Sequence, residues 1–304
     1  MRNAFTRSLA IEAKKNKNIF LLTGDLGYGV LEEFYTQLPK QFVNNGVSEQ
    51  HMTAFAAGMA LSGKIPIVYS IATFATLRAF EHVRNDICYQ NLNVKIVGVG
   101  SGLTYSQYGA THQSMEDIGL MRLLPNMVVI APGDPHEVKG ATEAMLAHKG
   151  PVYLRIGSRG EPVLHKPSDR FVLGKGFIMQ EGKGVALIAT GNMLAHAVTA
   201  AKILKDKKGI QCRLVSMPTI KPLDKKLVLE TARSFSQLYT IEEHSLIGGL
   251  GSAVAEVLAE NKTQTRFKRI AGPDAFQKVG GWLDYMRGIN KLTPEEIVKI
   301  ILKK

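Results

Sequence analysis

The sequence predicts an α/β protein with two doubly wound domains, each built on a mainly parallel sheet. Short apolar runs rich in β-branched residues alternate with longer segments of helical period, which is typical of parallel strands covered by helices on both faces. A polar stretch near the middle interrupts this alternation, which then restarts. The chain has 304 residues, enough for two domains that each bury a core.

The first domain is expected at residues 1–165. Its strands are predicted at residues 19–22, 65–69, 94–99, 127–130 and 152–156. Its helices are predicted at residues 3–15, 51–61, 73–90 and 136–148. The stretch from Gly157 to Asp169 is rich in glycine, proline and serine, which indicates a linker.

The second domain is expected at residues 170–304. Its strands are predicted at residues 185–189, 213–216 and 238–241. Its helices are predicted at residues 193–205, 223–233 and 251–259. The same order of short strands and longer helices predicts a second parallel sheet.

Composition places the chain among ordinary globular proteins. Hydrophobic residues make up 45% and charged residues 21%, which excludes a disordered chain. No apolar run reaches the roughly 18 residues that a membrane helix needs, so no membrane partner is expected. The two cysteines, Cys88 and Cys212, form no motif and favour a reducing compartment. We therefore expect a cytoplasmic protein.

The formal net charge is +12, from 38 basic and 26 acidic residues. Such an excess is compatible with an anionic partner, such as an acidic subunit or a phosphorylated metabolite, or with a basic solvated surface. The basic residues are scattered, and no zinc-finger or RNA-recognition signature accompanies them. We therefore expect no nucleic-acid partner.

Two glycine-rich segments resemble phosphate-binding motifs, but the residues around them argue against that function. Gly58 to Lys64 nearly spells a P-loop, but Ile65 follows it and supplies no hydroxyl for Mg²⁺. Gly63 is better placed as the cap that ends a helix. Gly100 and its neighbours lack the third glycine of a dinucleotide fingerprint, and we expect these glycines to let the backbone approach a ligand or a neighbouring chain. No metal-type spacing of cysteine and histidine occurs.

The segment richest in candidate functional residues begins at Gly46-Val-Ser-Glu49 and continues through Met52-Thr-Ala. Glu49 lies at the predicted start of a helix, where an acid complements the helix dipole by ~0.3–1 kcal/mol without any chemical role. Together with Thr111-His112-Gln113, these residues resemble the pyrimidine-binding domain of the transketolase family. The segments Met217 to Asp224 and Glu242 to Ser252 resemble the C-terminal domain of that family.

The resemblance implies thiamine diphosphate as cofactor. In this family a glutamate contacts the ring nitrogen of the aminopyrimidine and promotes removal of the thiazolium C2 proton, and Glu49 matches it. The resemblance also implies that Phe74 begins an aromatic pocket for that ring, with Phe80 and Met52 nearby. Asp25 matches an aspartate near the cofactor, although it is equally compatible with a loop acid or a helix cap.

The resemblance places His112 opposite the substrate carbonyl, where a histidine can donate a hydrogen bond or move a proton. Arg2 and Arg159 match arginines that bind phosphate. Other positions depart from the family, since Gly29, Gly100 and Tyr108 replace residues that bind phosphate or a sugar hydroxyl. The substrate is therefore expected to be a sugar or sugar phosphate. The alternative is a modified, nucleotide-linked or unphosphorylated sugar, or another aldehyde.

No Gly-Asp-Gly segment that holds Mg²⁺ beneath the diphosphate occurs in the sequence. We therefore expect this chain to be a split-gene B subunit that begins at Met1, with the Mg²⁺ ligands on an N-terminal partner subunit in an α₂β₂ assembly. The alternatives are a β subunit of a 2-oxoacid dehydrogenase, a deoxyxylulose-phosphate-type synthase, or a non-catalytic partner.

Overall fold

The computed structural model describes residues 1–158 and 160–303 of the chain. The strands are β1 (Ile19–Thr23), β2 (Phe42–Asn44), β3 (Ile65–Ile71), β4 (Lys95–Val99), β5 (Val128–Ile130), β6 (Val152–Ile156), β7 (Phe177–Gln180), β8 (Ala186–Ala189), β9 (Arg213–Ser216), β10 (Thr219–Lys221), β11 (Gln237–Ser245) and β12 (Arg266–Gly272).

The α-helices are α1 (Arg2–Lys15), α2 (Glu32–Gln37), α3 (Glu49–Leu61), α4 (Phe80–His82), α5 (Asp117–Leu123), α6 (Pro135–Ala147), α7 (Met193–Lys208), α8 (Lys225–Ser234), α9 (Leu250–Ala259), α10 (Leu283–Ile289) and α11 (Pro294–Leu302). Short 3₁₀ turns lie at Pro39–Gln41, Ser106–Tyr108 and Ala110–His112. In the described part of the chain, no helix combines the length and apolarity required to cross a bilayer.

The strands form two sheets that are mostly parallel, which confirms the predicted fold class. The first sheet has the order β10-β5-β6-β4-β3-β1-β2, and the second has the order β12-β11-β8-β9-β7. The antiparallel pairs are β10 with β5 and β7 with β9, one at the edge of each sheet.

Alternating side chains place a core on both faces of the first sheet. In β1, Ile19 and Leu21 face the core shared with α1 and α6, whereas Leu22 faces the core shared with α3 and α5. Strands β4, β5 and β6 are buried along their whole length, as expected when helices cover both faces.

The second core is continuous with the first. One cluster of buried apolar residues joins α3 and α5 of the first half with α8 and α9 of the second. Strand β10, from the second half, also completes the first sheet by pairing with β5. The two predicted domain ranges remain a prediction.

The predicted strands and most predicted helices are present within a few residues of their predicted bounds, and the helix predicted at 73–90 differs. Strand β12 and helices α10 and α11 were not predicted. It consists of α4 between two π-helical segments, Phe74–Arg78 and Val83–Cys88. The helix predicted from residue 223 starts at Lys225, because Asp224 caps it by accepting a hydrogen bond from Leu227 N. Gly63 follows α3 with a φ of +79°, as a helix-terminating glycine should.

Candidate active site

The predicted site residues of the first half meet at one edge of the first sheet. β6, β4, β3 and β1 are neighbours, and their carboxyl ends lie side by side because they are parallel. Asp25 follows β1, Phe74 follows β3, and His112 lies in the loop after β4. This is the edge at which open α/β sheets bind ligands.

Glu49 is the first residue of α3, and its side chain is buried although its helix begins at the sheet edge. The residue is 4% exposed. Its Oε1 accepts a hydrogen bond from Ser70 Oγ at 3.2 Å, and its Oε2 accepts one from Arg78 Nη1 at 3.1 Å. A dipole-complementing acid at an exposed helix end would not need such enclosure, so these contacts favour a chemical role.

Arg78 and Phe74 form a flat stack beside this carboxylate. The guanidinium carbon of Arg78 lies 3.7 Å from the centroid of the Phe74 ring. Arg78 is about half exposed, whereas Glu49 is enclosed, so the pair connects the buried acid to the open edge of the site. Delocalised planar groups such as guanidinium stack well on aromatic faces.

His112 also contacts Phe74, with its ring at a steep angle to the Phe74 ring. Its ring centroid is 5.1 Å from that of Phe74 and 5.1 Å from that of Tyr108. Partial burial and the nearby positive charge of Arg78 lower the pKa of His112, so its neutral form is favoured at pH 7. Thr111 Oγ1 lies 2.9 Å from His112 Nδ1, and when this hydroxyl donates, Nε2 carries the ring proton.

Several buried polar atoms around these residues have no hydrogen-bond partner among residues 1–158 and 160–303. They are Asn45 Oδ1, Thr73 Oγ1 and Gln113 Nε2. Thr73 and Gln113 are neighbours in sequence of Phe74 and His112, respectively. Buried polar groups in proteins are nearly always paired, so these atoms indicate a site that is completed by a ligand or another chain.

The other predicted cofactor residues have mixed surroundings. Met52 is fully buried, and Phe80 is half-buried and packs against the same core. Asp25 is exposed with a φ of +55°, and it accepts hydrogen bonds from Tyr28 Oη at 2.9 Å and from Asn44 Nδ2 at 3.2 Å. Their roles at a cofactor remain predictions.

The structure describes one of the two predicted phosphate ligands. Arg2 Nε donates to the carbonyl of Ser158 at 3.3 Å, so its guanidinium already lies beside the segment that follows β6. Arg159 lies outside the described residues. Tyr108 is 63% exposed and borders the open side of His112.

Gly98, Gly100 and Gly102 lie in and just after β4, and their approach to a ligand or a neighbouring chain stays a prediction. They make room for side chains of this same chain. A Cβ at Gly98 would lie 2.5 Å from Tyr153 Oη, one at Gly100 would lie 1.9 Å from the Tyr105 ring, and one at Gly102 would lie 2.4 Å from Glu243 Oε1.

Sequence reasoning missed Arg78 and Ser70. Ser70 lies in β3, and its spacing carries no signal. Arg78 follows Phe74 by four residues, a spacing that places two side chains on one helical face, and this was an available clue. Its pairing with Glu49, 29 positions earlier, could not be found from local pattern.

Comparison with known proteins gives relatives over nearly the whole chain. Residues 1–160 match the family model described as transketolase, pyrimidine binding domain, and residues 174–281 match the model described as transketolase, C-terminal domain. The chain is 39% identical to the putative transketolase C-terminal section of Methanocaldococcus jannaschii, over 100% of this chain and 96% of that protein.

Two further similarities concern subunits. The chain is 38% identical to the 6-deoxy-6-sulfo-D-fructose transketolase subunit SqwH of Clostridium sp., over 98% of this chain and 92% of that protein. It is also similar to a solved structure described as a split gene transketolase, inactive beta4 tetramer. That similarity has a TM-score of 0.91 and 39% identity, over 99% of this chain and 97% of the other.

Proposed function

The chain belongs to the transketolase family, and on that premise we propose that it is the B subunit of a split, thiamine-diphosphate-dependent transketolase. The reaction is the transfer of a two-carbon ketol unit from a ketose to an aldehyde. The observation that carries the proposal is the buried Glu49 carboxylate at the carboxyl edge of the first sheet. It bonds Arg78, which lies against Phe74, and Phe74 in turn contacts His112.

The residues present fit one end of the cofactor. Glu49 offers a buried carboxylate, Phe74 offers an aromatic face, and Thr73 and Gln113 offer buried polar atoms that have no partner in the described chain. These are the groups that a flat, hydrogen-bonding aminopyrimidine requires. Thiamine diphosphate, when bound, supplies a nucleophilic ring carbon and the electron sink for carbon–carbon bond cleavage.

Glu49 would hold the proton at the ring nitrogen of that aminopyrimidine. Its enclosure keeps water from competing for the carboxylate, and Ser70 orients Oε1. Arg78 occupies Oε2, so we propose that it shifts along the Phe74 face when the cofactor enters. Phe74 then provides the surface on which the aminopyrimidine stacks.

His112 would act on the substrate side. In the tautomer with the proton on Nε2, this nitrogen can donate a hydrogen bond to a substrate oxygen that gains negative charge. The lowered pKa of His112 keeps the imidazole neutral and able to exchange a proton near pH 7. Tyr108 and Arg2 border the entrance and would contact the sugar or sugar phosphate.

A separate N-terminal subunit would complete the site. Relatives of similar length are named as a C-terminal section and as a subunit, which supports a cofactor held between two chains. We propose an α₂β₂ assembly in which the partner carries the Mg²⁺ ligands beneath the diphosphate. Mg²⁺ sites commonly combine one or two carboxylates with phosphate oxygens.

The test is reconstitution of this chain with the N-terminal subunit, thiamine diphosphate and Mg²⁺. A ketose donor with an aldehyde acceptor should be turned over, and pyruvate should not. Turnover of pyruvate would instead support a 2-oxoacid-dehydrogenase or deoxyxylulose-phosphate-type enzyme. Calorimetry on this chain alone should show weak cofactor binding, and tight binding would contradict the shared site.

A further inference from the structure

The loop that carries Tyr108 and His112 is closed at its base. It connects β4 to α5, and Ser114 N donates to the Gly102 carbonyl at 2.8 Å in an antiparallel bridge. The two 3₁₀ turns lie between the bridged residues, and His112 ends the second turn. The position of His112 over Phe74 therefore depends on what holds the two arms of this loop.

A residue of the second sheet, Glu243 in β11, holds both arms. Its Oε1 accepts a hydrogen bond from Leu103 N at 3.0 Å on the outgoing arm. Its carbonyl accepts one from Arg155 Nη2 at 2.8 Å, and the same nitrogen donates to the Ser114 carbonyl on the returning arm at 3.0 Å. The end of β11 is thus tied to the loop on each side of His112.

The Glu243 carboxylate lies in the protein interior and not at the surface. It is 1% exposed, and its Oε2 accepts a hydrogen bond from Arg287 Nε. Burial opposes its charge, but Arg287 and the Leu103 N–H outweigh this and lower the pKa of Glu243. Gly102, with a φ of +60°, leaves the space that Oε1 occupies.

We propose that Glu243 is a positioning residue that sets, through Leu103, where the His112 loop lies over Phe74. The importance of that position for catalysis rests on the proposed function. The contacts that fix the loop all lie within this chain, so the positioning of the loop does not rest on the proposed function.

The neighbouring residue Glu242 provides a matched control. It is also fully buried, and its carboxylate accepts hydrogen bonds from Leu250 N and Gly251 N, each at 2.7 Å, at the start of α9. Glu242→Asp and Glu243→Asp shorten two adjacent buried carboxylates by the same methylene. Both keep the charge, but they release different parts of the molecule.

The first measurement is amide hydrogen exchange on the full chain. Glu243→Asp should raise exchange over residues 100–116 by about tenfold, the size expected for losing one hydrogen bond to a buried charge. Glu242→Asp should raise it at the start of α9 and leave 100–116 unchanged. Gly102→Ala should also raise exchange over 100–116, because its methyl displaces Oε1 and its positive φ strains any residue other than glycine.

The second measurement is steady-state kinetics of the reconstituted complex. Glu243→Asp should raise KM for the sugar and lower kcat, because His112 lies in the loop. Half-saturation by the cofactor should change less, because Glu49, Phe74 and Thr73 lie outside the loop and Gln113 lies in it. If the wild-type complex has no transketolase activity, the proposed function is contradicted. Raised exchange in Glu243→Asp would still support the role of Glu243 in positioning the loop. Wild-type exchange over 100–116 in both Glu243→Asp and Gly102→Ala would overturn the positioning role.

Discussion

At the scale of single residues, Glu49 and Arg78 form the contact that explains why a carboxylate can be buried at the start of a helix. An isolated buried charge is unfavourable, and a guanidinium 3.1 Å away offsets part of that cost. Arg78 is about half exposed and rests on Phe74, so it can move without disturbing the core.

Arg78→Met should lower the free energy of unfolding by about 1–3 kcal/mol, because it leaves the Glu49 carboxylate buried without its cation. Urea denaturation measures the change. Arg84→Met is the control, since Arg84 is exposed and bonds its neighbour Asn85. In a Glu49→Gln background, Arg78→Met should cost less than about 0.5 kcal/mol. An equal loss in both backgrounds would show that the two residues are not coupled.

The sequence identified Glu49 and His112 as candidates, because both lie in segments that resemble a known family. It did not identify Glu243, although that residue lies in the matched segment Glu242 to Ser252. Two adjacent glutamates look alike in sequence, and only the fold shows that Glu242 caps α9 while Glu243 reaches Leu103. The sequence does not show which residue of the first half a side chain on a strand of the second half contacts.

At the scale of elements, a charged cluster fixes the predicted linker to α6. Asp134 caps α6 and also accepts hydrogen bonds from the backbone of His165 and from its Nδ1, at 2.9 and 3.1 Å. His165 Nε2 lies 3.2 Å from Glu137 Oε1. Burial opposes the imidazolium charge, but these two carboxylates outweigh it and raise the pKa of His165 to about 10.

This cluster predicts a loss of stability at high pH. The pKa of His165 is higher in the folded chain than the value of about 6.5 in an unfolded one. Its stabilisation is therefore complete below about pH 6.5 and is lost as the pH rises through 10. The advantage of the wild type over His165→Gln should shrink by roughly 4 kcal/mol between about pH 6 and pH 10.

Chemical denaturation across that range measures the difference. His51→Gln, which removes an exposed imidazole on α3 away from this cluster, is the control. A constant difference between the wild type and His165→Gln across that range would mean that the imidazole of His165 is not charged in the folded protein.

The long, fully buried strands were predictable because continuous apolar runs identify them. Strands β7, β10 and β12 were not predicted, because none of them is a continuous run of buried apolar residues. The helix after β3 was predicted as regular, and its two π segments were not, because an extra residue per turn leaves no mark on composition.

At the scale of the whole molecule, the two sheets share one core and are linked by a buried arginine of the first sheet. Arg155 Nε donates to Asp117 Oδ2 at 2.7 Å, and Arg155 also bonds the carbonyls of Ser114 and Glu243. Both charged side chains are 1% exposed. This arginine therefore links the first sheet, the loop that carries His112 and the second sheet.

Arg155→Met should lower the free energy of unfolding by about 3–5 kcal/mol, because it leaves Asp117 buried and unpaired. Adding Asp117→Asn should recover part of that loss. Urea unfolding followed by circular dichroism measures both changes, with Arg233→Met, exposed on α8, as the control. A loss for Arg155→Met no larger than that for Arg233→Met would contradict the shared-core account.

The two-sheet architecture could be predicted from the alternation of strands and helices, whereas the contact between the sheets could not. β10 follows β9 after two residues and yet pairs with β5, about 90 positions earlier. The pairing of β10 with β5 depends on how both halves fold, and a short stretch of sequence does not carry that information.

The most direct measurement is turnover of the reconstituted complex with Glu49→Gln, compared with Glu81→Gln at an exposed position. The account predicts that Glu49→Gln lowers kcat by about 10²–10⁴-fold, with subunit assembly and the melting temperature nearly unchanged. Glu81→Gln should retain wild-type turnover. A Glu49→Gln complex that turns over ketose at the wild-type rate would contradict the account.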